Sequence, residues 1–270
     1  MPIITKISTQ KRYTARYNIF LDEQYAFSVD EDVLIRYQLK KGKHVTDLEI
    51  VQIQHADEIR KAFNAALHFL SFRMRSEKEI RDHLKKKEWD DSIIDAVLHE
   101  LRKQKLTDDL EFAKAYVRTC MNMGRKGPAV IKKELMEKGV NEPFLETALM
   151  EYTQEQQIKD AIALGNKFAK RNKKLSERML RQKVEYTLSA RGFPFGIIQA
   201  AIDGIDIGKG EAEEWEAIIR EANKAKRRFA NFSGSAYEQK MKQALFRKGF
   251  AIDLINRFLD EDTEDTEDGE

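Results

Sequence analysis

The sequence has a single cysteine, Cys120, so no internal disulfide can staple the chain. No run of 18 apolar residues occurs, which excludes a transmembrane helix. The opening residues, Met1-Pro2-Ile3-Ile4-Thr5-Lys6, lack the apolar stretch of a secretory signal, so a cytoplasmic location is expected. Signatures of catalysis are missing too: there is no GxxxxGK[ST], no GxGxxG opening a helix after a strand, no HExxH and no GxSxG. His44, His55, His68, His83 and His99 never recur at ligand spacing on one helix, and no cysteine pair supports zinc. Neither a cofactor nor a metal is expected, and the chain reads as a binding protein, not an enzyme. The carboxylate pairs Asp90-Asp91 and Asp108-Asp109 fall where helices should begin. Unpaired N–H groups and the positive dipole end there favour capping over acid–base chemistry.

What is present is charge. Acids and bases make up 35% of the 270 residues, yet the net charge is only +2. That balance hides an asymmetry, because residues 260–270 hold eight carboxylates and no base. Setting those aside leaves 48 bases against 38 acids, a net charge of +10 on the first 259 residues. A basic body with an acidic tail points to an acidic partner surface, nucleic acid above all. The tail itself has the composition of a solvated, disordered terminus.

The strongest pattern is a helical phrase written four times. Ile80, Ile131, Val184 and Met241 are each followed four positions on by Leu84, Leu135, Leu188 and Leu245. Trp89, Val140, Phe193 or Phe250 comes next, then Ile93-Ile94, Phe144-Leu145, Ile197-Ile198 or Leu254-Ile255, and each copy closes on Leu98, Leu149, Ile202 or Leu259. The anchor leucine recurs at intervals of about 50–60 residues, the mark of stacked supersecondary units sharing a core. Each unit reads as three helices. Gly139, Gly192 and Gly249 take one slot between the second and third, where a left-handed residue ends a helix, whereas the first unit has Glu88 there. Ser76 with Glu79 forms a capping box, Asp108 with Glu111 opens the second unit, Gly127-Pro128 starts its middle helix, and Asp90, Asn141 and Asp253 are the expected caps of third helices.

The first residues follow a different period. Tyr13, Ala15, Tyr17, Ile19 and Leu21 alternate with Arg12, Thr14, Arg16, Asn18 and Phe20, and Tyr25, Phe27 and Val29 continue after Asp22-Glu23-Gln24, which predicts a hairpin. Ile3 to Ile7 is a candidate third strand, and Asp30 a cap for a short helix. The expected fold is mainly α: tandem three-helix repeats in an elongated, curved array with a small N-terminal antiparallel sheet. The expected divisions are 1–45 (hairpin and short helix), 46–106, 107–152, 153–205 and 206–259 (repeats one to four) and 260–270 (disordered tail).

Three basic clusters stand out. One is Arg118, Arg125, Lys126, Lys132 and Lys133 around the Gly124-to-Pro128 turn. The second runs from Lys167 to Lys183 and includes Lys170, Arg171, Lys173, Lys174, Arg178 and Arg181 against one acid, Glu177. The third is Lys224, Lys226, Arg227 and Arg228, near Phe229 and Phe232. Each alone is an ordinary solvated face in so charged a chain; recurrence in successive repeats argues for a basic stripe that holds phosphates without reading bases. Tyr116, Phe168 and Phe229 could stack on bases, although their helical spacing fits a core equally.

The run Leu106-Thr-Asp-Asp-x-x-Phe112-Ala113-x-x-Tyr116-Val117-Arg118, with Gly127-Pro128-x-x-Ile131-x-x-Glu134-Leu135-x-x-Lys138-Gly139-Val140, resembles the RecX regulatory proteins of bacteria. The hairpin segment Tyr17-Asn18-Ile19-Phe20-Leu21-Asp22 is similar to longer members, whereas compact members have three units and this chain has a fourth. The resemblance implies an array of three-helix units that binds RecA filaments on single-stranded DNA and modulates, most often inhibits, their growth, ATP hydrolysis and strand exchange in recombination, repair and the SOS response. By matching position it implies Arg118, Arg125, Lys126, Lys132 and Lys133 as the central contact patch and the basic helix of the third unit as the next. A monomer is expected.

Two other classes compete: an autonomous repeat protein for single-stranded or structured DNA, and a scaffold that binds only proteins and carries its charge for solubility. The repeat alignment has its own test. Leu135→Ala or Leu188→Ala should cost about 2–5 kcal/mol in chemical denaturation, as a buried anchor does; a loss near zero would mean that the copies are misaligned.

Overall fold

The computed structural model describes residues 1–10, 15–208 and 210–267. Arg12, Tyr13 and Thr14 of the expected hairpin and residues 268–270 of the expected tail lie outside the described residues. Among the described residues there are three strands and thirteen helices, and none of the helices is long and apolar enough to cross a membrane. The chain divides into two compact units, residues 1–113 with 135–145 and residues 114–134 with 146–270, so the second repeat contributes to both.

In the first unit, β1 (Ile4–Thr9), β2 (Arg16–Leu21) and β3 (Gln24–Asp30) form an antiparallel sheet in that order. Asp22 and Glu23 both have positive φ, the two-residue turn that matches the right-handed twist of a hairpin. Asp30 ends the sheet and caps α1 (Glu31–Arg36), its carboxylate accepting from the Asp32 N–H. Then comes α2 (Asp47–Leu70), started by a capping box between Thr46 and Glu49. This helix serves two cores. Ile53, with Ile50 and Ala56, packs with Ile4, Ile19, Phe27, Val29 and Val33. Further along, Ala62, Phe63 and Ala66 pack with the first repeat. Asp57 joins the two parts: its buried carboxylate accepts from Arg16, Lys61 and the Asp30 N–H at 2.8 Å each. Burial works to raise the Asp57 pKa, but these partners outweigh it and hold the carboxyl below its ordinary value.

The first repeat is completed by α3 (Glu77–Lys85) and α4 (Asp91–Lys103), whose Ile80, Leu84, Ile94, Val97 and Leu101 are fully buried. The second comprises α5 (Asp109–Met123), α6 (Pro128–Glu137) and α7 (Glu142–Leu149). The third comprises α8 (Gln154–Arg171), α9 (Glu177–Ala190) and α10 (Phe195–Ile202). The fourth comprises α11 (Glu211–Phe229), α12 (Gly234–Arg247) and α13 (Ile252–Glu267). All four anchors, Leu84, Leu135, Leu188 and Leu245, are at most 1% exposed, and Ile80, Ile131, Val184 and Met241 fully buried.

Successive repeats are joined by one recurring contact. The start of a middle helix meets the turn that ends the next repeat's middle helix. Ser76 Oγ donates to the Lys138 carbonyl at 2.7 Å, and Ser176 Oγ to the Lys248 carbonyl at 2.6 Å. Both serines also accept from their own helix, at Glu79 N and Met179 N. In the second repeat the same place is held by backbone alone: Gly127 N donates to the Arg191 carbonyl at 2.8 Å and Ala129 N to the Gly192 carbonyl at 3.1 Å. The next helical residue, Glu77 or Glu177, gives its N–H to Asp109 or Glu214 of the following repeat; Pro128, in that position, has none to give. Two glycines are needed for close approach. A Cβ on Gly127 would lie 2.4 Å from the Gly192 carbonyl, and one on Gly192, at φ +87°, 2.6 Å from the Val130 amide nitrogen. Glu88 breaks the glycine pattern because no repeat precedes the first: its backbone is left-handed at φ +64°, but its side chain is exposed.

Three local expectations are corrected. Asp90 stands at the N-cap of α4, yet its side chain makes no cap hydrogen bond. Asp253 lies inside the first turn of α13, favoured there by the dipole and not by a cap. The segment expected to be disordered from residue 260 continues α13 through Glu267, tied down by Asp262, which pairs with Lys226 and accepts from the Tyr237 hydroxyl at 3.2 Å. Asn141 does cap, accepting from the Phe144 N–H.

The contact between repeats generates a paired prediction for urea denaturation. Gly192→Ala combines a left-handed backbone with a steric overlap and should cost about 2–5 kcal/mol. Glu88→Gly relieves the left-handed strain with nothing to collide and should change stability by less than about 1 kcal/mol. Equal effects at the two positions would contradict the account of the slot.

Candidate nucleic-acid interface

The bases of the third repeat's first helix line two different clefts. On α8, Lys167 and Arg171 are four residues apart and share a face, whereas Lys170, and Lys173 just beyond the helix, line a different cleft. Lys167 and Arg171 line a cleft of about 890 Å³ in the second unit, together with Arg125 and Arg191. The apolar part of its lining includes Met121, Leu164 and the half-buried Phe168, which form its floor. Lys167, Arg171, Arg125 and Arg191 are all exposed, and among the described residues none of them pairs with a carboxylate. Among the described residues one acid lines the cleft, Asp160, and both its oxygens are engaged: it accepts from Tyr152 Oη at 2.7 Å and Gln156 Nε2 at 2.9 Å. Burial and this carboxylate push the Tyr152 phenol pKa up, so the hydroxyl stays a donor.

The other expected contact residues scatter. Arg118 is committed to Glu151 in a two-pronged pair, Nε to Oε2 at 2.7 Å and a terminal nitrogen to Oε1 at 2.8 Å. Hydrogen bonding from Arg118 holds the Glu151 pKa below its ordinary value. Lys126 straddles both oxygens of Glu134 at 2.6 and 2.7 Å, and Tyr116 donates to the same carboxylate at 2.8 Å. Tyr116 is therefore half-buried structure, not an open stacking platform, and Phe229 packs on the fourth repeat's core. Lys132 is half-buried and Lys133 exposed on α6, and neither lines the cleft. Lys170 and Lys173 line a separate cleft of about 190 Å³ with Arg220 and the acids Asp206, Glu213 and Glu216. Lys174 and Arg178 are exposed, and Arg181 lies 3.7 Å from Glu185 and 3.8 Å from Asp203.

Of the eleven expected contact residues, then, the structure brings only Arg125 and Arg171 together in the basic cleft, and it adds Lys167 and Arg191. Lys167 belongs to the basic run but was not singled out within it. Arg191 lay outside every cluster, although the repeat pattern carried a signal. Lys138, Arg191 and Lys248 each precede the slot glycine, at a helix C-terminus where a cation is favoured.

A cleft with four cations, a partly open aromatic ring and no catalytic constellation is suited to holding a polyanion by its phosphates, with room for a base against Phe168. Comparison with known proteins agrees with the repeat reading. Family models described as the regulatory protein RecX N-terminal domain and the RecX first and second three-helix domains match residues 2–46, 62–101 and 108–149. The model of the RecX third three-helix domain matches twice, over 154–202 and 211–259. Regulatory protein RecX of Bacillus velezensis is 48% identical over 264 residues, covering 97% of this chain and 100% of its own. Its namesake from Bacillus subtilis is likewise 48% identical, covering 97% and 99%. A crystal structure of regulatory protein RecX superposes with a TM-score of 0.69 at 37% identity, covering 75% of this chain and 100% of its own. That of RecX from Lactobacillus salivarius gives 0.53 at 36% identity, covering 57% and 99%.

Proposed function

The chain belongs to the RecX family of regulatory proteins, and we propose that it regulates the RecA recombinase by binding its filaments on single-stranded DNA. In this reading it restrains filament growth, ATP hydrolysis and strand exchange during recombination, repair and the SOS response. It acts in the cytoplasm, as a monomer, by occupancy and without chemistry of its own. The observation that carries the reading is the cleft where the third repeat meets the end of α5, in which Arg125, Lys167, Arg171 and Arg191 converge without carboxylate partners among the described residues. A regulator of a nucleoprotein filament must recognise a surface rich in phosphate and acidic side chains. Unpaired cations gain more from such a surface than cations already neutralised within the fold, because no internal pair has to be broken first.

The aromatic floor at Phe168 favours a second reading, direct binding of single-stranded DNA with no recombinase present. One titration separates the two. RecA's ATPase on single-stranded DNA should fall at far less than one copy of this chain per recombinase protomer, as expected for action on filament growth. Arg125→Ala with Arg171→Ala should shift the midpoint about tenfold to higher concentration, equivalent to about 1.4 kcal/mol. Inhibition only when there is enough protein to coat the DNA would transfer the function to plain DNA binding. Absence of any effect on ATPase and on filament assembly would overturn the regulator reading.

A further inference from the structure

The third and fourth repeats match one family model over spans of equal length, so their positions correspond one to one. Three of the four cleft bases recur. Lys167, Arg171 and Arg191 have Lys224, Arg228 and Lys248 as counterparts, and these three line a cleft of about 170 Å³ beside Phe229. The linings differ at two central positions: the third repeat's Leu164 is replaced by Glu221, and its Phe168 by Ala225. The Glu221 side chain, 14% exposed, reaches between two of the bases. One carboxylate oxygen lies 2.5 Å from Lys224 Nζ and the other 3.0 Å from Lys248 Nζ. Burial works to raise the Glu221 pKa, yet the two ammonium groups outweigh it and hold the carboxyl below its ordinary value, so it is an anion at neutral pH.

A singly charged anion bridged by two ammonium groups is the arrangement a phosphodiester takes when a cleft grips it. We infer that the fourth repeat carries a second seat for the phosphodiester backbone of a nucleic acid, and that Glu221 occupies this seat as a built-in competitor. The inference rests on the third repeat's cleft being a nucleic-acid contact. Exchange of Glu221 for a phosphate breaks two ion pairs to make two, so the seat gains little from a bare strand. The duplicated repeat thereby adds to the chain without raising its affinity for DNA that carries no recombinase.

The test measures binding of the full chain to a single-stranded thymidine homopolymer across a salt series, with no recombinase present. Glu221→Gln should steepen the dependence of log K on log salt by about 0.7, the value of one more neutralised phosphate on a single strand. Glu221→Leu, which installs the third repeat's residue, should do the same, and adding Lys248→Ala to either should restore the original slope. Glu238→Gln removes the same charge from α12 outside the seat and should leave the slope unchanged. A wild-type slope in both Glu221 variants, or an equal steepening by Glu238→Gln, would overturn the proposal. Arg171→Ala reports separately on the third repeat. If it flattens the slope while the Glu221 variants do nothing, the second seat is wrong and the first cleft stands. If it has no effect while the Glu221 variants steepen the slope, the seat stands and the reading of the first cleft fails.

Discussion

Everything in the helical part of this protein depends on how one middle helix begins against the turn that ends the next. The carbonyl that receives this contact belongs in each case to the base before a glycine, Lys138, Arg191 or Lys248. The glycine must be left-handed and without a Cβ, because the incoming helix start fills the space where a side chain would stand. Ser76 and Ser176 satisfy the junction with a hydroxyl that donates forward and accepts from its own helix, and both are almost completely buried. Gly127-Pro128 does it with backbone alone, and Gly127 and Gly192 approach too closely for any larger residue.

The junction fixes the backbone of those three bases and leaves their charged ends to the surroundings, with different results. Lys138 turns to Glu79 at 3.0 Å, joining Arg73 on a carboxylate whose pKa, despite burial, is held down to about 2. Lys248 turns to Glu221. Arg191 finds no carboxylate among the described residues and lines the cleft with Arg125, Lys167 and Arg171. Ion pairs at such partly exposed sites contribute little to stability, about 0–1 kcal/mol. Their larger effect is on recognition, since a base that is already paired must give up its partner before it can hold a phosphate. One repeated backbone position therefore yields two neutralised bases and one that is open to a ligand.

Much of the fold was legible because its signals are local. The anchors Leu84 to Leu245, the capping box at Ser76, the cap at Asp108 and the glycine slots each follow from a few neighbouring residues. The tertiary reason for the slot was not legible, and it explains why Glu88 departs from it: the first repeat has no predecessor to accommodate. The charged site was harder still. Arg118 and Lys126 are indistinguishable from Arg125 by sequence, and only folding brings Glu151 and Glu134 to the first two. Arg191 was missed because it stands apart from the dense clusters. The acidic end of the chain reads as disordered by composition, but Asp262 meets Lys226 and Tyr237 across the fourth repeat and the helix continues.

The central claim is that the third repeat's cleft faces the recombinase filament. A photocrosslinker attached to a cysteine at Lys167, in a chain with Cys120→Ser, tests it directly; the same probe at Lys133, outside the cleft, serves as the control. On filaments assembled from RecA and single-stranded DNA, the account predicts efficient crosslinking from position 167 and little from 133. Crosslinking from 133 alone, or from neither position while the protein still inhibits, would contradict it.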